Sequence, residues 1–305
     1  EQTLPGPGGT TTPIQRVSIS TTGGDTDGES LLLDVSDDGR FTLFHSAASN
    51  LVENDEHEGF DYFVFDRETG TTELIAPVPF GYLPRQAGIS GDGRFVAVFL
   101  DPADLGFERD LLIDVAIFDR QTGEFELIGD SFFDDRRVLL NDNPTISDDG
   151  RLVGFNSTQV DDDAGVQHLE VWVHDRSTGE KQLASPRVSG ERTSAFAYNP
   201  RFSGDGRYLM YGTFADNLAF DDNNDNLDVY VFDRFTGDLE RVAPTIDGQE
   251  PNGFVDPGGI SHDGQVITFA TSASNFAADD TNNRNDIYVY NRGTDEVQRI
   301  STTPD

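Results

Sequence analysis

Apolar residues in this chain come in short alternating runs broken by Gly, Asp and Asn, and the same run recurs five times. Ser-x-Asp-Gly-Arg/Gln begins at Ser36, Ser90, Ser147, Ser203 and Ser261, at spacings of 54, 57, 56 and 58 residues. Each copy is followed by a second signature, Asp61 to Arg67, Asp114 to Arg120, Glu170 to Arg176, Asp228 to Arg234 and Asp286 to Arg292, and four of these continue into x-Thr-Gly. A unit predicts four strands. Strand A leads into the Ser, Asp-Gly supplies the positive φ of a tight hairpin, and strand B follows, as in Phe41 to Phe44. A longer loop leads to strand C, rich in Val, Tyr and Phe, and the Asp-Arg-x-Thr-Gly turn leads to strand D, as in Thr72 to Ile75. No stretch between them has a helical period.

Four strands per unit at this period predict an all-β chain, a β-propeller of five four-stranded blades. On these residues the sequence resembles the TolB-like family of propeller repeats, whose units carry Ser-x-Asp-Gly-Arg/Lys followed by an aromatic-rich strand ending near Asp. The resemblance covers about residues 14 to 303. It implies the fold; propellers of this kind serve as protein-docking platforms, carbohydrate-active enzymes and peptidase accessory domains, so it leaves the activity open. The expected organisation is a flexible lead-in over 1–13 and one propeller domain over 14–305. Ile14 to Ser20 matches Val297 to Thr303, and both read as strand D. Either the first copy adds a fifth strand to blade five, or the chain is cut from a longer array; a closed five-bladed ring is the favoured reading.

Loop length separates two ends of each blade. The A–B and C–D connections are tight near-copies, whereas the B–C and D–A loops, such as Ser46–Phe60 and Gly129–Asn143, vary in length and content. Variable loops on a rigid scaffold are where binding resides, so the ligand, a protein, peptide or glycan, is expected there. The D–A loops carry Tyr82, Phe133 and Tyr198 beside Arg136 and Arg137, which can stack on rings or hold a carboxylate. The B–C loops are acidic. Asp221, Asn223, Asp225 and Asp228 in the fourth, and Asp280, Asn282 and Asp286 in the fifth, alternate in a way that could aim oxygens at Ca2+. The same residues also serve as side-chain-to-backbone turns.

Composition narrows the partners. The formal charge is −35, with Lys181 the one lysine, which argues against nucleic acid and anionic membrane surfaces and suits a halophilic or marine setting. There is no cysteine, and no apolar run long enough to span a membrane. The Pro- and Gly-rich opening without Met reads as a segment left after signal removal or trimming, so the expectation is an extracytoplasmic protein, periplasmic, cell-surface or secreted. No Gly-x-Ser-x-Gly elbow or His-Glu-x-x-His pattern occurs. The expected role is therefore a binding module. The alternative is a carbohydrate-active enzyme, a polysaccharide lyase or hydrolase, using His168 or Tyr198 as base and Arg192 against a uronate carboxylate.

Overall fold

The computed structural model describes residues 3–5, 11–13, 15–53, 55–57, 59–79, 86–106, 113–129, 132–133, 136–160, 167–186, 196–219, 222–242, 245, 248–282 and 284–302. The chain is described as two compact units, Glu1–Leu83 and Pro84–Asp305. The first holds one antiparallel sheet, blade 1, with strands A to D at Ser30–Val35, Phe41–Ser46, Asp61–Asp66 and Thr71–Pro77 in that order. The second holds four more. Blade 2 comprises Gly88–Ile89, Phe95–Leu100, Asp114–Asp119 and Glu124–Leu127; blade 4, Tyr198–Phe202, Tyr208–Thr213, Asp228–Asp233 and Leu239–Val242; blade 5, Val255–Ile260, Val266–Thr271, Asp286–Asn291 and Glu296–Arg299.

Blade 3 departs from the expected four strands. Its strands A, B and C are Arg136–Ile146, Leu152–Val160 and Gln167–Asp175, its strand D is Lys181–Leu183, and a fifth short strand, Phe132–Phe133, pairs with Arg136 and Arg137. Much of the expected Gly129–Asn143 loop is thus ladder, because Arg137 and Val138 find backbone partners in Val160 and Gln159. Blade 5 has four strands, and the fifth strand expected on it is absent from its sheet among the described residues. The lead-in carries a two-stranded ribbon, Thr3–Pro5 with Thr11–Pro13. In blade 2 the B–C loop holds one 3₁₀ turn, Pro102–Leu105, capped by Asp101.

The hairpin Ser and the Arg of the Asp-Arg turn form the same bonds in every blade, and the hairpin Arg forms a fork in blades 1, 2 and 4. In blade 1 Ser36 Oγ donates to Asp38 at 2.7 Å and accepts the Phe41 N–H at 2.9 Å, which closes the hairpin between strands A and B. The Arg that follows forks onto the Asp ending strand C: Arg40 on Asp66, Arg94 on Asp119 and Arg207 on Asp233, each through two donors. These guanidinium groups hold the three carboxyls below the usual range, Asp119 down to about 2. The Arg of the Asp-Arg turn then donates Nη1 to the hairpin glycine's carbonyl. Arg67 reaches Gly39, Arg120 Gly93, Arg176 Gly150, Arg234 Gly206 and Arg292 Gly264, at 2.5 to 3.1 Å.

That second arginine also ties neighbouring blades. Arg176 binds Glu126 on strand D of blade 2 and lies 4.3 Å over the Phe95 ring; Arg292 binds Glu240 of blade 4 and lies 4.6 Å over Tyr208. The hairpin glycines Gly150 and Gly264, at φ of 70° and 68°, sit against those same rings, where a Cβ would collide with Phe95 or Tyr208. Apolar side chains fill the space between sheets. One cluster joins blades 2 and 3 through Ala97, Ile117, Val153 and Phe155, another joins blades 3 and 4 through Val171, Leu209 and Tyr230, and a third joins blades 4 and 5 through Met210, Val231, Phe269 and Tyr288.

Two outcomes follow. Arg292→Ala removes a charge-assisted pair, a carbonyl bond and a ring contact together, and should cost about 2 kcal/mol in urea unfolding. Glu240→Ala should cost less, because the carbonyl and ring contacts remain. Burial on strand A of blade 3 pushes the Asp142 carboxyl up to about 6. In the unfolded chain that group titrates near ~3.9, so between the two values the native state holds the extra proton. Its stabilisation is therefore present at mildly acidic pH and lost as pH rises through 6. The carboxylates paired with Arg40 and Arg94 act oppositely and lose theirs as pH falls through the acid range. Melting temperature should peak near pH ~5, and Asp142→Asn should flatten the decline toward neutral pH.

Candidate functional site: an aromatic cluster and two arginine-filled acidic loops

At the loop ends of blades 4 and 5, four rings touch in a chain. Phe196 lies 5.2 Å from Tyr198, Tyr198 5.6 Å from Phe214, and Phe214 5.9 Å from Phe254, all edge-on. Tyr198, Phe214 and Phe254 remain 39%, 46% and 52% exposed. Strand A of blade 4 supplies Tyr198, the exit of its strand B supplies Phe214, and the residue before strand A of blade 5 supplies Phe254. Gly212 permits the approach of the two blades, since a Cβ there would strike the Pro257 ring.

The backbone between Phe196 and Tyr198 is clamped from blade 3. Asn156, wholly buried, accepts the Ala197 N–H at 2.9 Å and donates to the Ala197 carbonyl at 3.2 Å. Asn143 donates to the same carbonyl, and Gln86 donates to Asn199 at 3.2 Å. Asn143 and Asn199, each followed by Pro, have φ of 49° and 48°, a region Asn tolerates, and the register of both strands shifts there. The bulge turns Tyr198 to the surface while its neighbours stay bonded. The result is a set of rings whose positions are fixed before any ligand arrives.

The acidic loops hold arginine. In blade 4, Nη1 of the buried Arg241 lies 3.5 Å from Asp222, 3.4 Å from Asp228 and 3.1 Å from Glu250. Tyr230 donates to Asp222 at 2.5 Å, Asn224 to Asp228 at 3.4 Å, and the Asn223 N–H to Glu250 at 2.6 Å. Asn223 and Asp225 are exposed, with Asp225 at φ 55° in the turn. In blade 5 Arg299 binds Asp279 at 2.6 Å and lies 3.9 Å from Asp280 and 4.0 Å from Asp286. Ser301 and Asn282 donate to Asp286, and Tyr288 donates to Asp280. Burial, reinforced by Asp222, pushes Asp228 up to about 7, whereas the Ser301 hydroxyl draws Asp286 down.

The acidic residue opening strand C finds a different partner in each remaining blade: His57 for Asp61 at 3.1 Å, Asn141 for Asp114 at 3.0 Å and Gln159 for Glu170 at 3.2 Å. Among the described residues no three His, Asp or Glu side chains form a group arranged to hold a metal. A calcium ion on Asp228 or Asp286 would be set beside a guanidinium already in place, so these donor sets fit arginine better than calcium.

Of the other expected site residues, Tyr82, Arg192 and Asp221 lie outside the described residues. Phe133, Arg136 and Arg137 belong to the added hairpin of blade 3, with Phe133 opposite Arg136, and His168 stands opposite Gln159 on the lengthened strand C of the same blade. Sequence reasoning missed three residues. Phe214 occupies the strand B exit where blades 1 and 5 have Ala47 and Ser272, and that aromatic-for-small exchange was its signal. Arg241 and Arg299 each follow the strand C acid by thirteen residues, where the first three repeats have Leu74, Leu127 and Leu183.

No family model matches the sequence, and no curated protein does. Solved structures do match. A protein described as TolB from Agrobacterium tumefaciens is 14% identical with a TM-score of 0.51, over 90% of this chain and 81% of that one. An oligogalacturonate lyase in complex with manganese is 11% identical with a TM-score of 0.55, over 90% of this chain and 65% of the lyase, so this chain spans just under two thirds of it. The β-propeller domain of the trilobed protease from Pyrococcus furiosus, described as having an open velcro topology, is 13% identical with a TM-score of 0.51, over 90% and 71%. At such identities the likeness concerns architecture alone, and the five sheets are the blades of a β-propeller fold like that of these structures.

Proposed function

We propose that this chain is a binding module that holds its ligand against Phe196, Tyr198, Phe214 and Phe254, on the B–C and D–A loop ends of blades 4 and 5. The observation that carries the reading is a contiguous run of rings, three of them well exposed, clamped from beneath by Asn156. Edge-on aromatic rings offer faces and edges for the apolar side of a sugar ring or for aromatic and proline side chains of a peptide. A surface of −35 formal charge repels polyanions, which selects neutral glycans and peptides without net negative charge. A uronate-cleaving enzyme needs the opposite, a cationic pocket. Tyr198, its candidate base, is engaged edge-on by two rings.

Calcium does not enter this reading, because Arg241 and Arg299 already face the buried carboxylates. Calcium and magnesium chloride at equal concentration should raise the melting temperature equally, as screening requires. A response peculiar to calcium and lost in Asp228→Asn would return the metal to these loops.

For a ligand drawn from a panel of neutral glycans and peptides, Tyr198→Ala and Phe214→Ala should each weaken binding about tenfold while leaving the melting temperature unchanged. Phe235, 73% exposed in the C–D turn at the opposite end of blade 4, is the control, and its replacement by Ala should not matter. Binding that survives both aromatic substitutions defeats the assignment.

A further inference from the structure

Guanidinium groups recur in this fold on one kind of seat. Arg40 lies 4.7 Å over the Phe41 ring and forks onto Asp66, the residue directly opposite Phe41 across strands B and C. Arg94 sits in the same way on Phe95 and Asp119, and Arg207 on Tyr208 and Asp233, at 4.6 and 4.8 Å from the rings. From the following blades, Arg176 and Arg292 cover the same Phe95 and Tyr208 rings and end on Glu126 and Glu240. Even the exposed Phe235 has Arg207 at 5.4 Å. The ring attracts the cation, and a carboxylate beside it fixes the guanidinium plane.

The aromatic cluster has the ring and the carboxylate without the cation. Phe214 and Phe254, 46% and 52% exposed, carry no guanidinium among the described residues. Asp216 follows Phe214 by two residues at the exit of strand B of blade 4. Asp225 precedes by two the Leu227 whose carbonyl accepts the Val255 N–H at 2.7 Å, next to Phe254. Both carboxylates are exposed, and neither forms an ion pair or a hydrogen bond among the described residues. Each of the two rings, 5.9 Å apart, thus has an unpaired acid near it. Thr271 Oγ1 donates to the Phe254 carbonyl at 2.7 Å, which holds the backbone under that ring. All of these residues lie in the Pro84–Asp305 unit.

Resting on the reading of this cluster as a binding site, we propose that its ligand is an arginine side chain on a peptide segment of another protein, packed against Phe214 and Phe254 with its N–H groups on Asp216 and Asp225. The occupant repeats what the fold does with its own arginines. Charge decides the source: a chain of −35 formal charge repels a second copy of itself and draws in a basic partner. A lysine is drawn by the same charge, but its ammonium has neither the plane that covers a ring nor the fork that fits a carboxylate. A neutral sugar gains nothing from the two acids.

The probe is a blocked Gly-Pro-Arg-Pro-Gly peptide, titrated into the intact chain by NMR or calorimetry beside counterparts with lysine, or with citrulline, the uncharged isostere of arginine, in the central place. The arginine peptide should saturate below about 10 mM, with the lysine peptide about threefold weaker and the citrulline peptide about tenfold weaker. Replacing both acids, Asp216→Asn with Asp225→Asn, should remove the preference for arginine over citrulline with the melting temperature unchanged, since both side chains are exposed. Equal binding of the arginine and citrulline peptides, or a preference that survives in the folded double variant, overturns the proposal. If the two peptides bind alike and still require Tyr198 and Phe214, the aromatic site stands and its arginine specificity falls. If arginine-peptide binding survives both ring substitutions, the site itself falls. Sedimentation of the chain alone supplies the last arm: self-association abolished by Phe214→Ala gives the rings to a second copy and overturns the proposal.

Discussion

In a chain with so few cationic side chains, the arginines that end the strand C turns of blades 3 and 5, Arg176 and Arg292, hold those blades in register with the blade before each. Each guanidinium has donors pointing in several directions in one plane, and the fold uses them separately. One closes the hairpin of its own blade on a glycine carbonyl. Others reach back to strand D of the blade before, to Glu126 from Arg176 and to Glu240 from Arg292, and the flat face covers a ring of that blade. A lysine has neither the plane nor the second donor set. The apolar clusters between blades give most of the burial, but non-directional packing alone would tolerate a slip of one sheet against the next. The arginine ties make that slip expensive, since each couples a turn, a strand and a neighbouring sheet.

Much of this was legible because the repeat displays each position five times. Ser-x-Asp-Gly predicted the hairpins, and the spacing predicted the blades. Even the fifth repeat's exchange is consistent, with Gln265 and Asn291 replacing both members of the Arg–Asp fork seen in blades 1, 2 and 4. The acidic loops were legible in composition and not in partnership. Alternating Asp and Asn resembles a set of calcium ligands until the residue thirteen positions later is read with them, and contact across a strand D edge is invisible to a scan along the loop. The growth of blade 3 was hidden for a related reason. Arg137 and Val138 look like loop because they lie between the charged run Asp134-Asp135-Arg136 and the turn-like Asn141-Asp142-Asn143-Pro144, and only their backbone partners Val160 and Gln159 make them strand.

The aromatic cluster was half visible. Tyr198 stood out as an aromatic in a variable loop, but Phe214 belongs to a strand exit and Asn156 to a buried strand of the previous blade. The site is assembled across three repeats, so no single repeat contains its pattern. Its rigidity has the same origin. Asn156 is fully buried and spends both ends of its amide on one backbone unit, leaving little freedom to the rings on either side. A ligand meeting these rings finds their ordering entropy already spent in folding.

Arg241 and Arg299 also change what the medium can do to this protein. A bound ion equilibrates with its surroundings, so a fold that relies on one carries the concentration of that ion as a variable. An arginine anchored by strand D is a counterion with a fixed tether, present at a high effective concentration whatever the solution contains. It cannot be chelated or exchanged. Blades 4 and 5, whose loops resemble ion sites in composition, thus carry a counterion of their own at those carboxylates, and that part of their charge balance is inherited with the sequence.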